Sequence, residues 1–388
     1  MATSSVLRAF YVLSFLFLGA FAHFFPLWLD AQGWSETEIG WATALRFVCV
    51  IAFPVMWGRM ADRRLGVGFT LGLLAWLSLA CFLPLLLVVG FAAIMGTLAL
   101  FSAFHVGFIP LLEAAAVSEA EASGSNYGDD RLFGSLGFIA GGLGLAVIVE
   151  AWGREVIPLS MMVLLALAAA LAWACPLKSE ARPGAATEVS TGQLELRPLR
   201  GFLLLCFLWC LSSHGVYMFL SLHLQELGVA DARIPTFWSV GVVSEIVLFR
   251  FAPRLLEGRN PRRVMALCYL MCVVQFGLMA WIREPLWLYL VLTLHGVTFG
   301  VNYYVSVLWL RSVTPAAHAT TAQALLQSVS FGLGGSVSAI GAGYLFELGQ
   351  GPLTYTVAAA LACVTLGALR WCPGAFAGGP LRLARGFD

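Results

Sequence analysis

The sequence predicts an all-α membrane protein, twelve transmembrane helices in two six-helix bundles. Three observations carry this expectation. The 388 residues are 60% hydrophobic and 11% charged, where a soluble domain carries about a quarter charged residues. Apolar runs of about 20 residues, enough to cross a bilayer core of roughly 30 Å, recur along the whole chain. The second half of the chain also repeats the first.

The runs are taken in order. The first, 7–29, imitates a signal peptide, because Ala20-Phe21-Ala22 resembles a cleavage site. It is too long for one and more spans follow, so it is read as retained. The runs 36–57, 67–87, 90–117, 131–152 and 155–176 complete an N-terminal bundle, 1–176. The stretch 177–199 holds Lys178, Arg182, Pro183, Gly184 and Gly192 and reads as a cytoplasmic linker. The runs 200–226, 232–256, 264–282, 285–312, 320–346 and 351–372 make a C-terminal bundle, 200–372, followed by a cytoplasmic tail, 373–388. Runs this long and continuous lack the short alternation of a membrane barrel. A helix satisfies its own backbone within lipid.

Charge placement sets the orientation. Arg154, Arg233 and Arg283 fall outside, Arg46 and Arg250 lie within spans, and every other Lys and Arg falls on the cytoplasmic side. The positive-inside rule then puts both termini in the cytoplasm of a multi-pass protein of the inner (plasma) membrane. A net charge of +1 suggests no nucleic-acid partner. The nine cysteines lie in or beside apolar runs. Cys206/Cys210 and Cys268/Cys272 have a helical spacing that suits a metal, but small apolar packing residues are the preferred reading. No zinc, Walker or nucleophile-elbow pattern is present, so neither an enzyme nor a metal or other cofactor is expected.

The halves align without gaps. Gly33 matches Gly228, Glu36 matches Asp231, Ile39 matches Ile234, Arg59 matches Arg254 and Asp62 matches Glu257. Two residues out of that register, Ser135 matches Ser328, Phe138 matches Phe331 and Gly141-Gly142 matches Gly334-Gly335. Because six spans is even, both halves cross the membrane in the same sense, a parallel repeat. The second and third spans are joined by "GRMADRR", in which Asp62 suits a helix N-terminus and the arginines suit helix C-termini. Gly58, Asp62 and Arg63 resemble the Gly-x-x-x-Asp-Arg gating motif of the major facilitator superfamily, and "APRLLEGRNPRR" is its degraded copy. Gly134, Gly137, Gly141 and Gly144, with Gly334, Gly341 and Gly343, suit close helix packing.

Polar residues inside spans cost at least a few kcal/mol when charged and normally face the bundle interior. Glu245, in "WSVGVVSEIVLFRF", reads as a proton carrier, with a structural hydrogen bond as the alternative. Arg46 cannot lose its proton and needs an anion, from the protein or from a substrate. Glu113 and Arg131, on neighbouring helices, suit a cross-helix pair or a salt bridge tying helix ends. His295, Thr298, Asn302 and Ser306 form one polar stripe; His214, Tyr217, Ser221 and Gln225 form a second; Gln323, Gln327 and Ser330 form a third. Three stripes in one half argue for a water-filled cavity. His23 and His105 lack such company and read as packing residues.

"FPLWLDAQGWSETEIGWATALRF", "NYGDDRLFGSLGFIAGG", "SVGVVSEIVLFRFAPRLL" and "TLHGVTFG" resemble the phenylpropionate permease family of proton symporters over nearly the whole chain, and more distantly lactose permease. The resemblance implies substrate-site roles for Glu113, Arg131 and Phe138. It implies proton-coupling roles for Glu245 and His295, and it matches Arg46 and His214 as well. Where both relatives carry a coupling arginine, this chain has Gln275; where lactose permease has its coupling acid, it has Thr298. Glu245 is thus expected to act without that arginine.

The expected function is secondary active transport by a monomer in the lipid bilayer: proton-coupled symport of a small organic acid, aromatic acids among the candidates, by alternating access. Glu245, His295 and His214 handle the proton; Arg46, Glu113, Arg131, Phe138, Trp238, Asn302 and Gln327 meet the substrate. A sugar or nucleoside symporter is the next choice, then a proton-driven exporter of amphipathic compounds. A non-transporting membrane sensor is the rival from another class.

Overall fold

A computed structural model describes residues 3–123, 127–174, 197, 199–315, 318–372 and 376. Among them every regular element is helical. The helices are α1 (Thr3–Ala31), α2 (Glu36–Met60), α3 (Val67–Phe82), α4 (Phe91–His105), α5 (Phe108–Ser123), α6 (Tyr127–Trp152) and α7 (Ile157–Ala174) in the first half. The second half holds α8 (Arg200–Met218), α9 (Leu220–Glu226), α10 (Ile234–Leu256), α11 (Pro261–Trp281), α12 (Pro285–Leu292), α13 (Asn302–Val313), α14 (Ala319–Gln327) and α15 (Gly335–Trp371). Among the described residues eleven helical stretches are long and apolar enough to cross a membrane. The last of them, Thr321–Trp371, contains a break at Gly349 and Gln350, where the backbone leaves helical geometry. That break separates two spans at the place where the sequence predicts the eleventh to end and the twelfth to begin.

Local chemistry sets the helix ends. Ser35 caps α2 reciprocally: its hydroxyl accepts from the Glu38 amide at 3.3 Å, and Glu38 accepts from the Ser35 amide at 2.9 Å. Asn260 caps α11 ahead of Pro261, whose missing N–H costs nothing in the first turn. The repeat is visible in the backbone. Gly33 and Gly228 share a φ of 79°, a left-handed value that favours glycine. Each closes the same pair of bonds, Gly33 to Asp30 and Trp34 to Leu29, then Gly228 to Gln225 and Val229 to Leu224.

"GRMADRR" ends α2 and passes through a π-helical turn, Ala61–Leu65, to Gly66 and α3. Asp62 and Arg63 are exposed there. Asp62 lies in that turn, four residues short of the α3 cap, rather than at a helix N-terminus.

The chain divides into two compact units. In the first, α1 packs along α6 and α7, and α3 packs on α4 and α7. Glycines permit the α1–α6 approach. A Cβ on Gly141 would stand 2.1 Å from the Leu16 carbonyl oxygen, and one on Gly137 would stand 2.7 Å from that of Val12. Gly144, predicted to join them, faces open space. This unit also claims Ala230–Pro235, a strap from the second half of the sequence. Arg154 holds it, donating from Nε and Nη2 to the two carboxylate oxygens of Asp231 at 2.7 and 2.9 Å and from Nη1 to Asp30 at 3.3 Å. Two-pronged pairing of this kind is both stronger and more directional than a point contact. Asp231→Asn is expected to loosen the strap, raising amide hydrogen exchange at residues 230–234 by about tenfold; unchanged exchange would leave the pair without a holding role.

In the second unit α15 packs on α8 and α11. Here too backbones meet at small residues: a Cβ on Gly215 would fall 2.2 Å from the Ser338 carbonyl oxygen. Between α12 and α13 the helix passes through a second π-helical stretch, Gly296–Val301, which packs against α10. A Cβ on Gly296 would lie 2.8 Å from the Ser244 backbone, and one on Gly300 would lie 3.0 Å from Cγ of Glu245. Gly296→Ala therefore has to push α10 away. Overpacking of this kind costs about 1–3 kcal/mol. A lower melting temperature in detergent is expected; an unshifted one would mean α10 moves freely.

Candidate functional site

Glu245 sits beside that glycine pair in the second unit. Ser244, the residue before it, accepts from the Gly296 amide at 3.0 Å and donates to the Gly241 carbonyl at 2.7 Å. The hydroxyl thereby ties α10 to the start of the π stretch. The carboxylate of Glu245 faces His295, with Oε2 3.9 Å from Nε2. That is longer than a direct hydrogen bond and close enough for one water to bridge. Both side chains keep some exposure, 19% for Glu245 and 16% for His295. The acid therefore has a titratable neighbour and is not fully covered by protein.

His295 also begins a ladder of rings. It is parallel to Phe299 within 4°, at 5.2 Å between centroids, and Phe299 is within 13° of Tyr303 at 6.3 Å. In a regular α-helix, rings four residues apart drift around the axis by about 40° per step. The wider π turn offsets that drift and keeps the three in register. Tyr303 accepts at its hydroxyl from Gln327 at 2.8 Å and from Gln323 at 3.4 Å. Phe331 stands edge-on to Tyr303 and to His214, whose ring is 4.7 Å away. His214 and Gln327 thus belong to one aromatic and amide cluster with His295. Trp238 is on the α10 face and donates to the buried Ser221 hydroxyl at 3.3 Å.

Behind His295 the polar groups turn inward. Tyr217 meets the His295 ring edge-on at 4.8 Å. Its hydroxyl donates to Oε1 of Gln275 at 3.2 Å, and Thr298 donates to the same oxygen at 2.7 Å. Gln275, Thr298, Asn302 and Ser306 are all buried. Trp209 donates to the Thr298 carbonyl at 3.0 Å. The stripe read from the sequence as lining a water-filled cavity thus splits: His295 is half-buried, and its three companions face the interior of the unit.

Arg46 is in the first unit. Its Nη2 is 3.2 Å from Nδ1 of His105, and its guanidinium lies over the Phe21 ring at 5.1 Å. A guanidinium only donates, so Nδ1 of His105 is the acceptor. Nη1 is buried without a hydrogen-bond partner, and among the described residues no carboxylate pairs with the side chain. His105, read from the sequence as a packing residue, is the polar neighbour of this cation. Phe138 lies elsewhere in the unit, edge-on to His23 at 5.0 Å. Glu113 is half-buried, while the Arg131 side chain lies outside the described residues, as does the proposed pair.

Sequence reasoning missed His105 because nothing in a linear pattern links it to Arg46. It missed Gly296 and Gly300 although they spell a Gly-x-x-x-Gly, the small-residue signal for close helix approach. Among the described residues no cluster of His, Cys, Asp and Glu is arranged to hold a metal ion.

Comparison with known proteins bears on this geometry. The chain is 29% identical to a maltose permease of Geobacillus stearothermophilus over 358 residues, covering 90% of this chain and 89% of that one. It is 24% identical to a probable 3-phenylpropionic acid transporter of Escherichia coli (strain K12) over 353 residues, 88% and 91% of the two chains. The crystal structure of a mutant of the nucleoside transporter NupG matches the fold with a TM-score of 0.82 at 15% identity, covering 95% of this chain and 99% of that one. Residues 5–357 match the model of the MFS_1 like family. The chain belongs to that family and is a multi-pass membrane transporter of the major facilitator type, not an enzyme.

Proposed function

We propose that this transporter is a proton-coupled symporter of a small organic acid, working as a monomer in the plasma membrane with both termini in the cytoplasm. The observation that carries the reading is Arg46. A permanent cation inside a membrane bundle is costly without an anion, and this one has a neutral imidazole and an aromatic face for company. A substrate carboxylate supplies the missing charge, and the free Nη1 supplies a donor to meet it. Glu245 and His295 supply the proton site in the other unit. Transporters built from parallel repeats move substrate and coupling ion by rocking one repeat against the other. Protonation of Glu245 from outside, followed by release inside, would bias that motion inward.

A second reading has its own support. The neutral set of Tyr303, Gln323 and Gln327 suits hydroxyl and carbonyl groups, and the maltose permease is among the similar proteins. Uptake of labelled 3-phenylpropionate, maltose and uridine into proteoliposomes, with the interior made alkaline, separates the cases. Accumulation of 3-phenylpropionate supports acid symport. Accumulation of maltose or uridine alone replaces it with the second reading, and expulsion under an inward proton gradient points to an exporter.

A further inference from the structure

The inner faces of α8, α11 and the Gly296–Val313 segment carry polar groups and thiols, among them Asn302, which was expected to meet the substrate and is instead fully buried. On α8 these are Cys206 and Tyr217; on α11, Cys272 and Gln275; on the third helix, Thr298, Asn302 and Ser306. All are buried. They are joined across the helices. Tyr217 and Thr298 meet at Gln275. The Cys272 thiol approaches the Thr298 carbonyl at 3.9 Å, and the Cys206 thiol approaches the Ser306 hydroxyl at the same distance. The seam is thus closed at both ends by bonded contacts.

Between those ends Ser306 donates to the Asn302 backbone carbonyl at 2.8 Å, but two side-chain amides are left unbonded. Asn302 is 0% exposed, and neither its Nδ2 nor its Oδ1 has a partner. Nε2 of Gln275 is also buried and unpartnered. Native proteins leave few buried polar groups unsatisfied, because an orphaned donor or acceptor has given up its water without a replacement partner. Asn302 follows Thr298 by one turn and precedes Ser306 by one turn, about 6 Å in the α-helical part. A water with two to four polar partners is a stable occupant of a buried site, and the Asn302 amide and Nε2 of Gln275 offer such partners.

We infer that the seam between α8, α11 and α13 is a water-binding site, in which a short chain of bound waters runs from Gln275 past Asn302 to Ser306. Asn302 is its central positioning residue, able to donate to one water and accept from the next. Through Tyr217 the chain reaches the edge of the His295 ring. Resting on the symport reading, this offers the proton a polar branch into the interior of the unit.

The two thiols report the water directly. A thiol packed only against apolar side chains keeps its proton when the protein is moved to D2O, whereas one beside mobile water exchanges. Infrared spectra of the purified protein, with Cys206→Ala and Cys272→Ala used to assign the S–H bands, should show both thiols deuterated within minutes. Asn302→Leu should slow that exchange by at least about tenfold, and Asn302→Ser should keep it fast. A role in packing alone would change the melting temperature of these variants without sorting them by exchange rate. Thiols that stay protonated in the wild-type protein overturn the inference, and so does an Asn302→Leu protein that exchanges at the wild-type rate. Should Asn302→Leu fail to fold, Asn302→Val is read in the same way. None of these measurements needs transport, so a wild-type protein that exchanges its thiols but accumulates no 3-phenylpropionate defeats the symport reading and leaves the water site standing.

Discussion

Glu245→Gln is expected to abolish accumulation of substrate against a gradient while leaving exchange of substrate across the membrane largely intact. Symport of one proton with one carboxylate moves no net charge, so the pH difference drives it; each pH unit supplies about 1.4 kcal/mol, which sustains accumulation of about tenfold. An amide cannot carry the proton, so the ratio should fall to about one. The amide keeps the volume of the acid and stays beside Gly300 and His295, so the binding site and the rocking motion survive. Counterflow of labelled against unlabelled substrate checks the second half of the expectation. A variant that still concentrates substrate removes Glu245 from the proton's path. A variant that loses counterflow as well, with an unchanged melting temperature, makes Glu245 a substrate contact instead.

Arg46→Lys is expected to weaken binding of 3-phenylpropionate by roughly 10- to 150-fold, about 1.5–3 kcal/mol, the range for a hydrogen bond to a charged group. The charge remains, but lysine is a compact ammonium without the planar fork of the guanidinium. One fork position is taken by His105 and the other is open; a lysine serves one of them at most. Calorimetric titration of the purified protein reads the affinity directly. Affinity that does not change in a folded variant assigns Arg46 to holding α2 against α4 through His105.

Much of this was legible without coordinates. The spans follow from run length, because the bilayer fixes how many apolar residues a helix must present. The break between the last two spans was readable at Gly349-Gln350-Gly351-Pro352 for the same reason, and the structure places non-helical backbone at the first two of these residues. The repeat was readable because matched glycines do matched jobs, as Gly33 and Gly228 show. The intramembrane charges were readable because lipid makes each of them expensive.

The rest concerns which helix face meets which. Arg46 was expected to meet an anion from the protein or from a substrate, and its neighbours in the fold are His105 and Phe21, fifty-nine residues and a helix away in one case. The stripe from His295 to Ser306 looked uniform along the chain. A π turn then separates its half-buried head from its buried tail. No periodicity count signals that turn, because one extra residue per turn is a choice the backbone makes when neighbouring helices crowd it. Here the crowding comes from Ser244 and Glu245, set against two glycines.

The sequence by itself determined the solvent, the number of crossings and the internal repeat, since those depend on composition and length. The tertiary structure alone decided that Glu245 shares its surroundings with His295, that Arg46 shares its own with His105, and that Asn302 faces inward. Those are contacts between helices, and a helix exposes every side chain equally until another surface covers one face of it.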